Sequence, residues 1–451
     1  MNREVHFQND FDAAEFSRRC QHVMDSIGDA VAVLQGSPAT GAFDLFRQHN
    51  DFYYLCGVEV PHAYLLIDAK ARKTTLYLPP RDEKHERSEG AILSSDDVEL
   101  GRQLTGVDNV CVHDALADDI ADAKVIFLLG SEPEGRQTCQ DVLLHARRSI
   151  NQDPWDQSPT PGDRFQAKLS VAAPQATFRD LSPLLHEMRL IKSPSEIELM
   201  RRAGKLTGLA VVEAMKCTRA GLFEFHLGAQ ADLIYLANGA KGAGYRPIIA
   251  CGENIFNAHY FRNDCPLVDG KLVLMDYAPD VGNYTSDIGR MWPVNGRYSD
   301  VQRELYGFVV QYHKILLRLI RPGLTTDQIY RAAESEATPI VESTNWSKPI
   351  YRKAAQDVLT YDRHLTHPVG MAVHDVGEYR DRPMQSGVVL ALDPQMWVPD
   401  EQLYIRVEDT VVITETGVEN LTDAAPLELD DVEQIMNEPG VYELRPQLLV
   451  S

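Results

Sequence analysis

Alternating hydrophobic and polar positions divide the chain into two differently built halves. In the first half, from about residue 30 to 149, short apolar segments alternate with helical stretches. AVAVLQGS and KVIFLLGSE are predicted strands, AYLLIDAKARKTTLYLPP is a predicted hairpin with its turn in the Lys/Arg-rich middle, and TCQDVLLHARRS is predicted to be helical. Strands interleaved with helices are typical of an α/β unit.

A Pro-, Asp- and Gly-rich segment, NQDPWDQSPTPGD at residues 151–163, predicts a loop after this half. We expect a domain boundary near residue 180. The resulting organisation is an N-terminal α/β domain over residues 1–180 and a second domain over residues 181–451.

The second half has two long helices with clear start signals. Ser193, Pro194 and Glu196 have the spacing of an N-cap, a first helical residue and a capping box, and Gly221 is the predicted stop. The next helix is predicted to begin at Ser299. Between and after these helices lie the predicted strands KLVLMDYA, TSDIGRMWPV, GVVLALDP and LYIRVEDTVVIT, so this half is expected to be α+β.

Several carboxylates fall inside these strands. Asp276 in KLVLMDYA and Asp393 in GVVLALDP each share a strand face with apolar side chains. A carboxylate buried there must be paired, protonated or bound to metal. Arg406 and Glu408 share a face of LYIRVEDTVVIT, and that pattern alone favours a solvent-facing amphipathic strand. Asp287 is open to two interpretations, a metal ligand or a residue beside a turn.

Histidines cluster in RHLTHPVGMAVHDVG, which contains His364, His367 and His374, whereas His259 stands alone in IFNAHYFRND. An isolated histidine is more often a surface or core residue than a ligand. Together, the carboxylates and at least one histidine could hold one or two divalent cations. An oxygen-rich donor set of this kind favours hard cations such as Mn²⁺.

The composition restricts the functional classes. The 451 residues are 44% hydrophobic and carry a formal net charge of −22, which argues against nucleic acid as a partner. There is no apolar run long enough for a transmembrane helix, so no membrane partner is expected, and no signal-peptide pattern is visible. The seven cysteines form no C-x-x-C motif and suggest reduced thiols in a cytoplasmic protein.

The order Asp, Asp eleven residues later, His, a further acidic residue and Glu resembles the metallopeptidases of the pita-bread fold. Within them the chain is most similar to Xaa-Pro aminopeptidase (aminopeptidase P), with prolidase as close kin. The strings that carry the resemblance are MRLIKSPSEIELMRRAG, CGENIFNAHYFRND, GKLVLMDYAPDVGNYTSDIGRMWPVNG, HPVGMAVHDVG and YIRVEDTVVIT, and QHNDFYYLCGVEVPHAYLLID is similar to the N-terminal domain of that family. It implies an α/β N-terminal domain and an α+β pita-bread catalytic domain with a curved, mostly antiparallel sheet.

The resemblance also implies the site. Two divalent cations are expected, with Mn²⁺ favoured and Zn²⁺ or Co²⁺ as alternatives, and a hydroxide held between them is the expected nucleophile. His259 and His374 would stabilise the tetrahedral intermediate and move a proton, and Arg406 would orient Glu408. The implied metal ligands are Asp276, Asp287, His367, Asp393 and Glu408, of which Asp287 and Glu408 would bridge.

Two positions depart from the family pattern. Asp393 and Gln395 stand where the family has Glu and Gly, and the shorter side chain retracts the carboxylate by about 1.5 Å. Arg363, followed by His364, changes the usual His-x-x-x-His spacing before His367.

The function that the resemblance implies is hydrolysis of the N-terminal Xaa-Pro bond, in peptides with proline at the second position, by a homodimer or homotetramer. The alternatives are a Xaa-Pro dipeptidase, a pita-bread protein that binds a peptide or partner with little or no catalysis, and a non-peptidase hydrolase or lyase of the same fold acting on a small polar molecule.

Overall fold

The computed structural model describes residues 4–41, 43–360 and 365–449. The chain divides into two compact units, Met1–Met188 and Arg189–Ser451. No described helix combines the length and apolar composition needed to cross a bilayer.

The first unit is a mixed sheet with helices. Its strands are β1 (Val31–Gln35), β2 (Tyr64–Asp68), β3 (Lys73–Leu78), β4 (Asn109–Val112), β5 (Val125–Leu128) and β6 (Thr177–Asp180). Its helices are α1 (Ala13–Ser26), α2 (Asn50–Cys56), α3 (Glu83–Glu89), α4 (Val98–Thr105), α5 (Leu116–Asp119), α6 (Gln140–Gln152) and α7 (Pro161–Ala172), and α8 (Ser182–Leu190) continues into the second unit. The sheet order is β4-β3-β2-β1-β5-β6. The β1–β2–β3 meander is antiparallel and the other pairs are parallel, so an α/β unit with the predicted hairpin is confirmed.

The second unit is built on one antiparallel sheet. Its strands are β7 (Ile248–Cys251), β8 (Leu272–Asp276), β9 (Ile288–Pro293), β10 (Thr366–Pro368), β11 (Val389–Leu392), β12 (Gln395–Val398), β13 (Leu403–Arg406), β14 (Glu408–Ile413) and β15 (Val418–Asn420). Its helices are α9 (Pro194–Cys217), α10 (Glu224–Ala237), α11 (Asp300–Leu319), α12 (Thr326–Ser343), α13 (Pro349–Leu359), α14 (Leu429–Ile435) and α15 (Val441–Leu444). The sheet order is β10-β11-β14-β9-β8-β7, with β15 beside β14, and β12 and β13 form a separate two-stranded ribbon.

Local start signals place the two long helices as predicted, but the first of them ends before its predicted stop. Ser193 caps α9 with Glu196 in a reciprocal capping box, and Ser299 caps α11 in the same way. Helix α9 ends at Cys217, earlier than expected, and Gly221 instead occupies the left-handed region at φ +92° in the turn that follows.

The segment over residues 151–163 is only partly the predicted loop. Helix α6 continues to Gln152, and α7 begins at Pro161. Thr160 accepts a hydrogen bond from the Asp163 backbone while the Asp163 carboxylate accepts one from Thr160. The Pro-Gly-Asp string is therefore the first turn of a capped helix, because proline is well suited to that position.

The predicted strand LYIRVEDTVVIT is two strands. Val407 separates β13, which pairs with β12, from β14, which pairs with β9 and β11. Both faces are covered: Tyr404, Arg406, Glu408 and Thr410 are all buried. The solvent-facing interpretation of this strand is therefore wrong, because a sheet with both faces covered leaves no face for water.

Candidate metal centre

Strand ends of the second unit bring its acidic side chains together. Asp276 is the last residue of β8, Arg406 the last of β13 and Glu408 the first of β14. Asp287 directly precedes β9, and Asp393 directly follows β11. All five residues are buried. Neighbouring strands thus deliver four carboxylates and one guanidinium to a single buried cluster.

Backbone and packing contacts fix the two central carboxylates. The Asp287 N–H donates to Thr410 Oγ1 at 2.6 Å, and Thr410 Oγ1 donates back to the Asp287 carbonyl at 2.8 Å. Glu408 lies opposite Gly289 in the β14–β9 register. A Cβ at Gly289 would lie 3.1 Å from Glu408 Cβ and 3.3 Å from Arg406 Cδ, so the absence of a side chain there lets the Glu408 and Arg406 side chains pack close.

Asp287, His367 and Glu408 form the tightest part of the cluster. One ligand atom from each lies within 4.8 Å of the others. His367 Nε2 is 3.4 Å from Asp287 Oδ2 and 3.5 Å from Glu408 Oε1. Two atoms bound about 2.1 Å from one cation, at angles near those of a tetrahedron, are separated by roughly 3.4 Å. This spacing suits a shared cation.

Tyr245 and Arg406 connect the remaining carboxylates to this group. The Tyr245 hydroxyl lies 2.7 Å from Asp276 Oδ1 and 2.8 Å from Asp287 Oδ1, so its single proton serves two acceptors. Arg406 forms ion pairs with Asp276 Oδ2 at 2.6 Å and Glu408 Oε2 at 2.6 Å. The guanidinium therefore contacts more of the site than the single carboxylate that was predicted for it.

Asp393 is engaged on both carboxylate oxygens. Arg406 Nε donates to Asp393 Oδ1 at 2.7 Å, and the Gln395 side-chain amide donates to Oδ2. Asp393 does not belong to the group of mutually close ligand atoms found among the described residues.

Burial and charge shift the pKa values of these groups in opposite directions. Burial raises the pKa of Asp276 to about 7 despite the nearby Arg406 guanidinium. Burial also raises the pKa of Glu408 well above its ordinary value. For Asp287 the effect of burial is outweighed by His367 and Arg406, which lower its pKa to about 2. The cluster therefore takes up positive charge readily, whether as protons or as cations.

The donor set fits divalent cations. Four carboxylates face one guanidinium in a buried place, so full ionisation of the carboxylates leaves negative charge that needs a further cation. The Glu408 side chain is fully buried, and among the described residues its Oε2 is ion-paired with Arg406 whereas its Oε1 has no hydrogen-bond donor. Since a buried carboxylate oxygen without a donor is costly, a cation beside Oε1 is the simplest compensation. Carboxylate oxygens with one imidazole suit hard divalent cations.

The two other predicted histidines lie beside this group. The His374 ring is edge-on to His367, with centroids 4.6 Å apart, and the His259 ring centroid is 6.3 Å from that of His374. His259 is exposed and His374 is half-buried. Both imidazoles thus lie at the edge of the carboxylate cluster that solvent reaches.

The loop that carries His374 is held by a buried ion-pair network. Asp375 is bonded by the Arg189 guanidinium and by Lys192 Nζ, the latter at 3.1 Å, and all three side chains are about 1% exposed. The Arg189 and Lys192 charges outweigh burial and lower the pKa of Asp375. The loop backbone is packed just as closely, since a Cβ at Gly370 would collide with Asp375 Oδ2 at 2.1 Å.

The structure brings together all eight residues that the sequence singled out, and adds others. Tyr245 was missed because a lone tyrosine has no distinguishing pattern in one sequence. Gln395 was noted as a departure from the family pattern, but its contact with Asp393 was not predicted. Thr410 lies on the same predicted strand face as Arg406 and Glu408, and this position could have identified it as part of the site. Arg363 and His364 lie outside the described residues.

An antiparallel sheet with a buried carboxylate–histidine cluster at its strand ends gives the second unit the side chains of a metal-binding domain. Residues 198–415 match metallopeptidase family M24, and residues 16–126 match the aminopeptidase P N-terminal domain. The chain is 32% identical over 449 residues to the Xaa-Pro aminopeptidase of Escherichia coli, covering 94% of this chain and 97% of that protein.

Solved structures agree with these matches. Aminopeptidase P from E. coli with the inhibitor Pro-Leu, and a zinc-substituted form in complex with product, each superpose with a TM-score of 0.75 at 29% identity, covering 95% of this chain and 99% of theirs. The chain therefore belongs to metallopeptidase family M24 and carries the aminopeptidase P N-terminal domain. The expected family and the pita-bread fold are confirmed.

Proposed function

We propose that the chain is a metal-dependent aminopeptidase that hydrolyses the N-terminal Xaa-Pro bond of peptides with proline at the second position. The observation that carries the proposal is the fully buried Glu408 carboxylate, whose Oε1 has no hydrogen-bond donor among the described residues and lies 3.5 Å from His367 Nε2, beside Asp287. The E. coli relative named Xaa-Pro aminopeptidase, and its structure with Pro-Leu, support the substrate class.

The proposed cofactor is a pair of divalent cations. Asp287 and Glu408 lie at the centre of the cluster and would each be shared by both cations. Asp276 would serve one cation, and His367, which lies next to Asp393, would serve the other. Oxygen donors dominate, which favours Mn²⁺, while the zinc-substituted relative supports Zn²⁺ as an alternative and Co²⁺ has similar preferences. When bound, the cations would polarise the scissile carbonyl and lower the pKa of a water held between them.

The chain's own groups would supply orientation and proton movement. His259 and His374 can donate hydrogen bonds to the oxygen that becomes negative in the tetrahedral intermediate, and one of them can pass a proton toward the proline nitrogen as the bond breaks. Arg406 holds Glu408 and Asp276 in place through its ion pairs of 2.6 Å.

The test is product release from matched peptides. The purified full-length protein, supplied with Mn²⁺, is incubated with an Ala-Pro-Ala tripeptide, an Ala-Ala-Ala tripeptide and an Ala-Pro dipeptide, and free alanine is measured. We expect release from Ala-Pro-Ala and little from Ala-Ala-Ala. Preferential cleavage of Ala-Pro would indicate a dipeptidase, and turnover of creatine without peptide cleavage would indicate a non-peptidase hydrolase. Mn²⁺ binding with no turnover would indicate a binding protein.

The proposal includes a cytoplasmic homodimer or homotetramer. The seven cysteines, all of which lie within the described residues, form no disulfide, as expected in a reducing compartment. Helix α10 exposes Phe225, Leu233 and Leu236 at 49%, 53% and 61%, and an apolar face of this kind suits a contact between copies. Light scattering on the protein as it elutes from a size-exclusion column would measure its molar mass, which gives the number of subunits.

A further inference from the structure

We propose that Asp393 is a positioning residue rather than a metal ligand, and that the cation beside His367 is held by three side chains with one coordination position left open. The three side chains are Asp287, His367 and Glu408. This inference rests on the proposed function, because it concerns the same cations, but it can fail while the proposed function stands.

The first argument is the number of donors on each carboxylate. Both oxygens of Asp393 have a donor of their own: Arg406 Nε on Oδ1 and the Gln395 amide on Oδ2. Asp276 differs, because its Oδ1 shares the single Tyr245 proton with Asp287 Oδ1. When Tyr245 donates to Asp287, Asp276 has an oxygen available for a cation, whereas Asp393 keeps both of its hydrogen bonds.

The second argument is that strand pairing fixes the positions of the two side chains that donate to Asp393. Gln395 and Arg406 are directly opposite each other in the β12–β13 register. Side chains of such a pair lie on the same face of the ribbon, so both can reach one carboxylate. On the other side, the Asp393 N–H donates to the Leu365 carbonyl at 2.7 Å, which fixes the backbone. Asp393 is thus held from three directions.

The third argument is where the ligand atoms lie. Asp287, His367 and Glu408 place their donor atoms within 4.8 Å of one another, and Asp393 does not join this group within the part of the chain that the structure describes. Three protein ligands with an open position are typical of catalytic metal sites, whereas structural sites are fully occupied by protein ligands. The open position is where a peptide carbonyl oxygen or water would enter.

Cobalt spectroscopy on the full-length protein tests this assignment. Co²⁺ is added stepwise to the metal-free protein, its content is measured, and the visible absorption is recorded, since Co²⁺ absorbs more strongly at low coordination number. The variants are Asp393→Asn, which keeps the shape but is a poorer ligand, and Asp393→Glu, which is longer by one methylene. His367→Ala is the control that removes a proposed ligand. Gln356→Ala, on the exposed face of α13, is the matched control for a variant that removes the Gln395 amide.

We expect Asp393→Asn, once loaded, to have the wild-type number of Co²⁺ ions and the wild-type spectrum. We expect Asp393→Glu to absorb less strongly, because its carboxylate reaches the open position, and His367→Ala to lose one Co²⁺. If Asp393→Asn loses a Co²⁺ or changes the spectrum as His367→Ala does, Asp393 is a ligand and the inference is overturned.

A second variant keeps the test decisive if Asp393→Asn does not fold. Gln395→Ala removes the donor from one oxygen of Asp393, so that this oxygen can reach the cation. The visible Co²⁺ absorption of this variant should therefore fall toward that of Asp393→Glu. A wild-type spectrum for Gln395→Ala would overturn the inference. Two results separate the proposals. Failure to bind Co²⁺ together with failure to cleave Ala-Pro-Ala rejects the proposed function, whereas an active enzyme with an altered Asp393→Asn spectrum rejects only the positioning role.

Discussion

Replacing Asp375 by Asn should destabilise the second unit strongly. The carboxylate compensates two cationic side chains, Arg189 and Lys192, and all three are about 1% exposed. Asparagine has nearly the same shape but no charge, so the substitution leaves two buried cations without their counter-charge. The backbone hydrogen bond from Asp375 N–H to the Pro368 carbonyl, at 2.9 Å, is retained.

The size of the effect follows from burial. Removing one partner of a buried ion pair costs about 3–5 kcal/mol, because an uncompensated charge remains inside. An exposed pair is the matched control: Asp327 and Arg331 are 66% and 77% exposed, and Asp327→Asn should cost no more than about 1 kcal/mol. Urea unfolding of the full-length proteins, followed by tryptophan fluorescence, measures both. A loss for Asp375→Asn no larger than that for Asp327→Asn would refute the reasoning.

The difference in the free energy of unfolding between wild type and Asp375→Asn should depend on pH in one definite direction. The pKa of Asp375 is lowered in the folded protein, while an unfolded aspartate titrates near 3.9. The stabilisation is therefore fully present above about pH 5 and is lost as pH falls through the lowered folded pKa. The stability difference between wild type and Asp375→Asn should stay constant from neutral pH to about pH 5 and shrink only in more acidic solution. A difference that disappears between pH 7 and pH 5 would contradict the assignment.

Three further changes have expected outcomes. Tyr245→Phe removes only the hydroxyl shared by two carboxylates and should weaken Mn²⁺ binding by about 10–100-fold in calorimetry. Gly289→Ala adds a Cβ 3.1 Å from that of Glu408 and should lower bound metal and peptide cleavage, whereas Gly307→Ala, where a Cβ meets open space, should leave both unchanged. Thr160→Ala removes the N-cap of α7 and should cost about 1 kcal/mol in urea unfolding.

Removal of bound cations is a separate perturbation of the whole protein. Chelation leaves four buried carboxylates against one guanidinium, so the thermal midpoint should fall and should return when Mn²⁺ is added. The same midpoint with and without chelator would mean that the purified protein carried no cation at this site.

Local chemistry determined much of the fold from the sequence alone. Ser193 with Glu196, and Ser299 at the next helix, predicted helix starts correctly because a capping box involves only four adjacent residues. Strand alternation placed Asp276 and Asp393 among apolar neighbours, since the two-residue period is intrinsic to an extended chain. These features depend on neighbours in sequence, so they can be derived without the fold.

Only the tertiary structure decided how the polar side chains pair. The sequence did not reveal that β13 and β14 divide at Val407, that both of their faces are buried, or that Gln395 lies opposite Arg406. Nor could it show that Tyr245 is shared by Asp276 and Asp287, or that Asp393 is bonded on both oxygens. These facts depend on strand partners far apart in the chain, and the direction of a carboxylate is set by whichever donors those partners bring to it.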